Sequence, residues 1–246
     1  MSIARRLTAL LAATLLVAGC VSGRDGSPTL TVYSANGLGA WYSQQFEKFT
    51  EQTGIKVTLF EAGSGEVVSR VNSKAVWDRL DGDRPVPPAD LLVTPPPFIQ
   101  RAARAGILQP GGADTAGISS PLVDPGGLFV PIVGTALCFI ANPAATPMPV
   151  SWDDLLRPDL KGKLQYSTPG EAGGGTAMLL LLQHLLGKPG ALDYLHRLQV
   201  NNVGPSASTA ALQPKVDSCE LLIPNGDVQM NAASIHNDGS RFTVFF

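Results

Sequence analysis

Histidine and cysteine are scarce, at three residues each in 246, and the spacings that usually carry catalysis or metal binding are missing. His184, His196 and His236 do not stand at zinc spacing with cysteines, and no His-Glu-x-x-His pair occurs, so neither pattern of zinc site is offered. The stretch Ala62–Arg70 lacks the Gly-Lys-Ser/Thr ending of a nucleotide loop. Gly63-Ser64-Gly65 lacks the flanking glycines of a nucleophile elbow. Long apolar runs are confined to the N-terminus. Thr176–Leu186 is the most apolar later segment, but it is short and holds Gln183 and His184, which excludes a membrane span there. Positive charge is also lacking. The whole chain has 18 basic and 20 acidic residues, and Arg5 and Arg6 are among the basic ones. Beyond them the balance is more acidic still, which argues against nucleic acid as a partner.

The first segment is present for export rather than for folding. Arg5 and Arg6 precede the apolar run Leu7–Val17, and the small residues Ala18-Gly19 follow. This is the order of a secretory signal over residues 1–19. Leu16-Val17-Ala18-Gly19-Cys20 resembles the bacterial lipobox, which implies cleavage before Cys20 and a lipid on it. Residues 20–28, with Val21–Ser27 containing Gly and Ser, read as a tether. The location implied is the periplasm or the outer face of the cell membrane, with the membrane as partner through the lipid alone. Cys138 and Cys219 remain. An oxidising compartment permits a bridge between them, and the apolar run Ala136–Ile140 equally suits a buried thiol at Cys138.

Strand and helix patterns then alternate. Leu30–Ala35, Lys56–Ala62 and Asp90–Val93 read as strands, and Ala40–Gln52, Glu66–Leu80 and Phe98–Ala105 as helices. Asp81–Ala89 and Gln109–Gly127 are rich in turn residues. Phe129–Ala141 suits a central strand, and Ser151-Trp152-Asp153-Asp154 opens a helix with a Ser-x-x-Asp cap. Lys163–Ser167 and Val228–Asn231 read as strands, and Thr176–Leu186, Ala191–Asn201 and Lys215–Asn225 as helices. Phe242–Phe246 begins one more strand, and its apolar end suggests a chain that continues further. Such alternation predicts an α/β fold with parallel-rich sheets and flanking helices. The loop-rich break before residue 129 divides it into two lobes.

Three turns stand out: Ala62-Gly63-Ser64-Gly65-Glu66, Pro169–Thr176 and Gly204–Thr209. Each opens a helix, where unpaired N–H groups and the dipole favour an anion. Each also has the composition of an ordinary N-cap. In an open α/β sheet, ligands lie beyond the carboxyl ends of the strands. The turns after Ser34-Ala35-Asn36, at Ala62–Glu66, at Thr94-Pro95, at Ser167–Thr176 and around Asn231 all follow predicted strands and can meet in one cleft.

Taken together, these segments resemble the type II solute-binding proteins of ABC importers, and within them the 2-aminoethylphosphonate-binding branch. The resemblance is carried by Leu30–Leu38, Gly54–Arg70, Asp90–Ile99, Gly162–Gly170, Leu179–His184, Asn201–Ser206 and Asn225–Asn231. It implies a two-lobed periplasmic-binding-protein fold, with lobe 1 over 29–128, a hinge crossover over 129–135, lobe 2 over 136–241 and the start of a return crossover over 242–246. It implies capture rather than catalysis: no catalytic residue, no cofactor and no metal, a small aminophosphonate ligand, and an ABC permease with its ATPase as partners. The phosphonate contacts it implies are Ser34, Asn36, Ser64, Gly65, Thr94, Thr168, Gly175, Thr176 and Asn231, with Glu66 first and Glu171 second for the ammonium. Glu66 also suits the dipole of an ordinary helix start. Gly174 departs from an acid that many relatives carry at that place. The paired tyrosines of ferric-ion binders are replaced by Asn231-Ala232, which argues against iron. Other small anions such as a phosphate ester or dicarboxylate, a sensor-associated binding module, a secreted α/β hydrolase and a non-functional remnant are the competing readings.

Overall fold

The computed structural model describes residues 28–72 and 89–246. The expected export signal, Cys20, most of the expected tether, the end of the helix expected to reach Leu80 and the expected loop to Pro88 lie outside the described residues.

The first lobe is built on a parallel sheet. Strand β1 (Thr29–Ala35) is followed by helix α1 (Gly39–Thr53), β2 (Lys56–Ala62), α2 (Ser64–Asn72), β3 (Leu91–Val93) and α3 (Phe98–Arg104). The strand order is β2-β1-β3. Ala35 pairs with Ala62, and Ser34 with both Glu61 and Val93. The carboxyl ends of the three strands therefore come level, and the three turns that follow lie side by side. Tyr33, Ala62, Val67, Val68, Phe98 and Ala102 form the core between this sheet and helices α2 and α3. The valines of α2 recur at helical spacing, so one stripe of the helix is buried and its first turn is fixed at the strand ends.

The second lobe carries a mixed sheet of order β5-β6-β4-β7, formed by β4 (Leu137–Ala141), β5 (Leu164–Gln165), β6 (Ile223–Asp227) and β7 (Thr243–Phe245). Only β5 and β6 run parallel; β6 with β4 and β4 with β7 are antiparallel. Alternation along β4 sends Phe139 and Ala141 into a core with Leu155, Leu164, Met178, Leu198 and Ile223. Cys138 and Ile140 go to the opposite face, against Leu212, Val216, Leu221 and Phe242.

Several elements differ from the sequence reading. The run Phe129–Ala141 forms strand only from Leu137; Pro131 offers no N–H to a ladder, and residues 132–136 are exposed rather than packed in a sheet. The strand expected over Lys163–Ser167 shrinks to two residues. The helices Thr176–Leu186 and Ala191–Asn201 form one segment, α4 (Gly173–Leu198), broken at Gly187 with φ 68° and ψ 169° just before Pro189. The helix expected over Lys215–Asn225 is replaced by the short α5 (Gln213–Asp217) and by β6. Leu221 and Ile223 are fully buried, and a short buried run of this kind suits a central strand as well as a helix. Pro224 lies just outside the β4 ladder, which begins at Asn225. Val228–Asn231 is not a strand but the first part of α6 (Val228–Ala233), because the Asp227 carboxylate accepts the Met230 N–H at 2.8 Å and caps it. The Ser151 cap is reciprocal, with Ser151 N–H donating to Asp154 at 3.0 Å and Asp154 N–H to Ser151 Oγ at 3.3 Å. It opens only a 3-10 turn, Asp153–Leu156. Cys138 and Cys219 are both free, the first buried and the second exposed.

Candidate functional site

On the first lobe, Ser34, next to the last residue of β1, is fully buried. Its hydroxyl donates to the Ala35 carbonyl at 2.8 Å and lies 2.8 Å from the Tyr42 hydroxyl. Burial pushes the Tyr42 phenol up, and the Ser34 hydrogen bond partly opposes that. The Ser34 side chain is thus spent on fixing α1 against β1. Ser64 is buried at the start of α2, and Thr94 Oγ1 donates to its carbonyl at 3.4 Å. Glu66 is held by Arg70 one helical turn away, at 3.0 Å. An ammonium at Glu66 would have to compete with that guanidinium.

On the second lobe the turns after β5 brace one another. Thr168 N–H donates to the Ser206 carbonyl at 2.8 Å, and Ser206 N–H to Thr168 Oγ1 at 3.0 Å. Thr176 Oγ1 accepts from Gly170 N–H and donates to the Ala172 carbonyl, each at 2.8 Å. Ser167, Asn225 and Thr209 form a polar knot: Ser167 N–H donates to Asn225 Oδ1 at 2.7 Å, and the Ser167 and Thr209 hydroxyls lie 2.9 Å apart. Gly174 N–H donates into this knot, to Thr209 Oγ1 at 3.1 Å. The glycines here serve close packing. A Cβ on Gly175 would run into the Ser167 carbonyl, and one on Gly174 would lie 2.7 Å from Thr209 Oγ1 and 2.9 Å from Asn225 Nδ2. Without a shift of these neighbours, no side chain, acidic or otherwise, fits at 174.

The two sets of turns meet along one seam. Gly65 N–H donates to the Glu171 carbonyl at 2.8 Å, and Asn36 Nδ2 to Ser208 Oγ at 2.8 Å. Gly63 packs its Cα against the Ala207 carbonyl, where a Cβ would collide. Gly173 packs against Pro95 and Ser64, with a Cβ there 2.9 Å from Pro95 Cγ. Asn36, Ser64, Gly65, Glu66 and Thr94 are therefore brought to the seam from one side, with Thr168, Gly175 and Thr176 bracing the turns on the other. Asn231 is set apart. It is fully buried beneath β4 and β6, with Nδ2 donating to the Asp227 carbonyl at 2.7 Å, and its Oδ1 has no hydrogen-bond partner among the described residues.

A cavity of about 270 Å³ opens on the seam, lined by Glu66, Ser69, Arg101 and Glu171 and by the backbone of the adjoining glycines and Ala207. It falls below the roughly 300–1,000 Å³ of drug-sized pockets, so a small molecule suits it. Sequence reading missed Arg101. Its only signal was a cation on the helix that follows the Thr94-Pro95 turn. A larger cavity of about 770 Å³, bounded by residues such as Asn142, Val216, Cys219, Arg241 and Phe242, has none of the three turns in its lining, and size alone does not make it the site. Among the described residues there is no cluster of three metal-ligating side chains, and no helix is long and apolar enough to cross a membrane.

Comparison with known proteins agrees with this architecture. A periplasmic protein of Salmonella typhimurium, provisionally named for 2-aminoethylphosphonate binding, is 45% identical over 215 residues, covering 85% of this chain. The chain spans about 60% of the length of that relative. The solved periplasmic binding protein P5PA superimposes with a TM-score of 0.71 at 23% identity, over 89% of this chain and 69% of that one. AfuA of Actinobacillus pleuropneumoniae, solved with fructose-6-phosphate bound, does so with a TM-score of 0.69 at 19% identity, over 88% and 69%. At these identities the two structures speak for the two-lobed fold. The model of the bacterial extracellular solute-binding proteins matches residues 30–228, which takes in both sheets up to the start of α6, and the chain belongs to that family.

Proposed function

We propose that the chain is the binding component of an ABC importer and captures 2-aminoethylphosphonate at the seam between its lobes. The observation that carries the anion half of this reading is the meeting of two helix starts, α2 and α4, from opposite lobes. The amine half is supported by the 45% identical relative. Lobe 1 over 29–128 and lobe 2 over 136–241 would close about the 129–135 crossover. The closed form would present the ligand to a permease, and a lipid on Cys20 would hold the protein in the periplasm near it.

A second reading, a phosphate ester or another small anion without an amine, is favoured by two observations. Gly174 leaves no room for a carboxylate, and Glu66 is already paired with Arg70. Calorimetric titration with 2-aminoethylphosphonate, ethylphosphonate and phosphate separates the two. Binding that needs both the amine and the phosphonate supports the first reading. Equal binding of ethylphosphonate moves the assignment to the second, and no binding by a cooperatively folded protein removes both. Labelling with radioactive palmitate, abolished by Cys20→Ala, tests the anchor.

A further inference from the structure

The three charged residues that line the seam cavity, Glu66, Arg101 and Glu171, do not have equal standing. Glu66 and Arg70 neutralise each other at 3.0 Å. Arg101, on α3 of the first lobe, has its guanidinium 5.8 Å from the centre of the Phe98 ring, and among the described residues no ion pair holds it. Glu171, in the turn before α4 of the second lobe, is exposed, and among the described residues no ion pair holds it. Both line the same cavity of about 270 Å³. Two of the helix-start N–H groups are already used, Gly65 by the Glu171 carbonyl and Gly174 by Thr209 Oγ1. Side-chain charge therefore adds to the remaining N–H groups in reading a ligand.

We infer that Arg101 and Glu171 act as a divided charge pair, one half on each lobe, that selects a zwitterionic ligand bearing an acid group at one end and an ammonium at the other. Such a molecule satisfies both charges at once and ties the lobes together. A plain anion meets Arg101 but leaves Glu171 unpaired and repelling it; a plain amine has the reverse problem. The carboxylate has to come from 171, because a side chain at 174 would crowd Thr209 and Asn225 and the Glu66 carboxylate is committed to Arg70. This inference rests on the binding role proposed above and assigns its selectivity.

The test uses the soluble protein and two probes, 2-aminoethylphosphonate and ethylphosphonate, titrated into wild type, Glu171→Gln and Arg101→Gln. Near-ultraviolet circular dichroism and a thermal melt verify that each variant is folded. Wild type is expected to prefer the amino compound by at least about tenfold, as loss of a charged partner in a confined site implies. Glu171→Gln should bring that ratio close to one by weakening the amino compound alone. Arg101→Gln should weaken both probes by a similar factor and keep the ratio. An unchanged ratio in Glu171→Gln, or an unchanged ethylphosphonate affinity in Arg101→Gln, overturns the charge pair while leaving the binding role standing. A wild type that binds both probes alike overturns the pair and leaves a binder of plain anions; one that is folded and binds neither overturns the role and the pair together.

Discussion

Burial pushes the Cys138 thiol up to about 12, the nearby Asp227 carboxylate adds to the shift, and the Asn231 amide works against it. At pH 8 roughly one such thiol in ten thousand is ionised, and the thiolate is the reactive form. Cys219 stands exposed at a turn with φ 61°, and Asn142 Nδ2 donates to its sulfur at 3.4 Å. In a protein starting after Cys20, a chromogenic disulfide reagent at pH 8 should therefore titrate one thiol quickly. The second should react at least about a hundredfold more slowly and become available in denaturant. Cys219→Ser should abolish the fast phase; if Cys138→Ser does so instead, the assignment of the buried thiol is wrong. The same local chemistry was only half visible in the residues themselves. Ala136–Ile140 suited a buried thiol while a bridge to Cys219 stayed open, and which face of β4 Cys138 occupies depends on the β4–β6 register, which nothing local sets. Glu66 had the right residue type for an ammonium contact, yet Arg70 four positions on claims it.

Two elements owe their form to single residues. Gly187 has φ 68° and ψ 169°, a region that only glycine occupies without strain. It lets α4 turn and restart beside Pro189. Gly187→Ala is expected to destabilise the fold by about 1–3 kcal/mol, read as a lowered midpoint in urea with an unchanged slope. Asp227 caps α6, and burial pushes its carboxyl above the usual range, with the Met230 N–H and Thr135 bonds opposing. A raised folded value means that the folded state holds the proton more tightly. The stabilisation is fully present below the unfolded value near 4 and is lost as pH rises through the folded value. Asn at this position still caps the helix and does not titrate. Asp227→Asn should therefore gain stability relative to wild type between pH 4 and pH 7, and urea melts at the two pH values that show the same difference would refute it. Elements with a strong local period were legible: β1, β2, α1 and the start of α2 came within about two residues. Those decided by partners or caps were not. The Ile223–Asp227 run is a strand because it is buried beside β4, and Val228–Asn231 is a helix because Asp227 caps it.

At the scale of the whole molecule, closure depends on how nearly the lobes can touch. The seam brings backbone against backbone: Gly65 N–H bonds the Glu171 carbonyl, and Gly63 lies so close to the Ala207 carbonyl that a Cβ would collide with it. Interiors this dense do not yield by several tenths of an ångström without a rearrangement, and the Ala207 carbonyl belongs to a turn braced by Thr168 and Ser206. Gly63 itself does not have a left-handed φ, so Gly63→Ala adds no backbone strain within the first lobe. Its methyl group acts only when the lobes meet. Small-angle scattering should show the variant with a larger radius of gyration than wild type, while its melting temperature stays nearly unchanged because each lobe keeps its own core. Ligand affinity should fall by roughly tenfold or more, about 1.4 kcal/mol per decade, through faster dissociation, since a ligand held by one lobe alone loses half of its contacts. A variant with wild-type scattering and wild-type affinity would mean that the Ala207 turn gives way, and that the fit between Gly63 and Ala207 is not what limits closure.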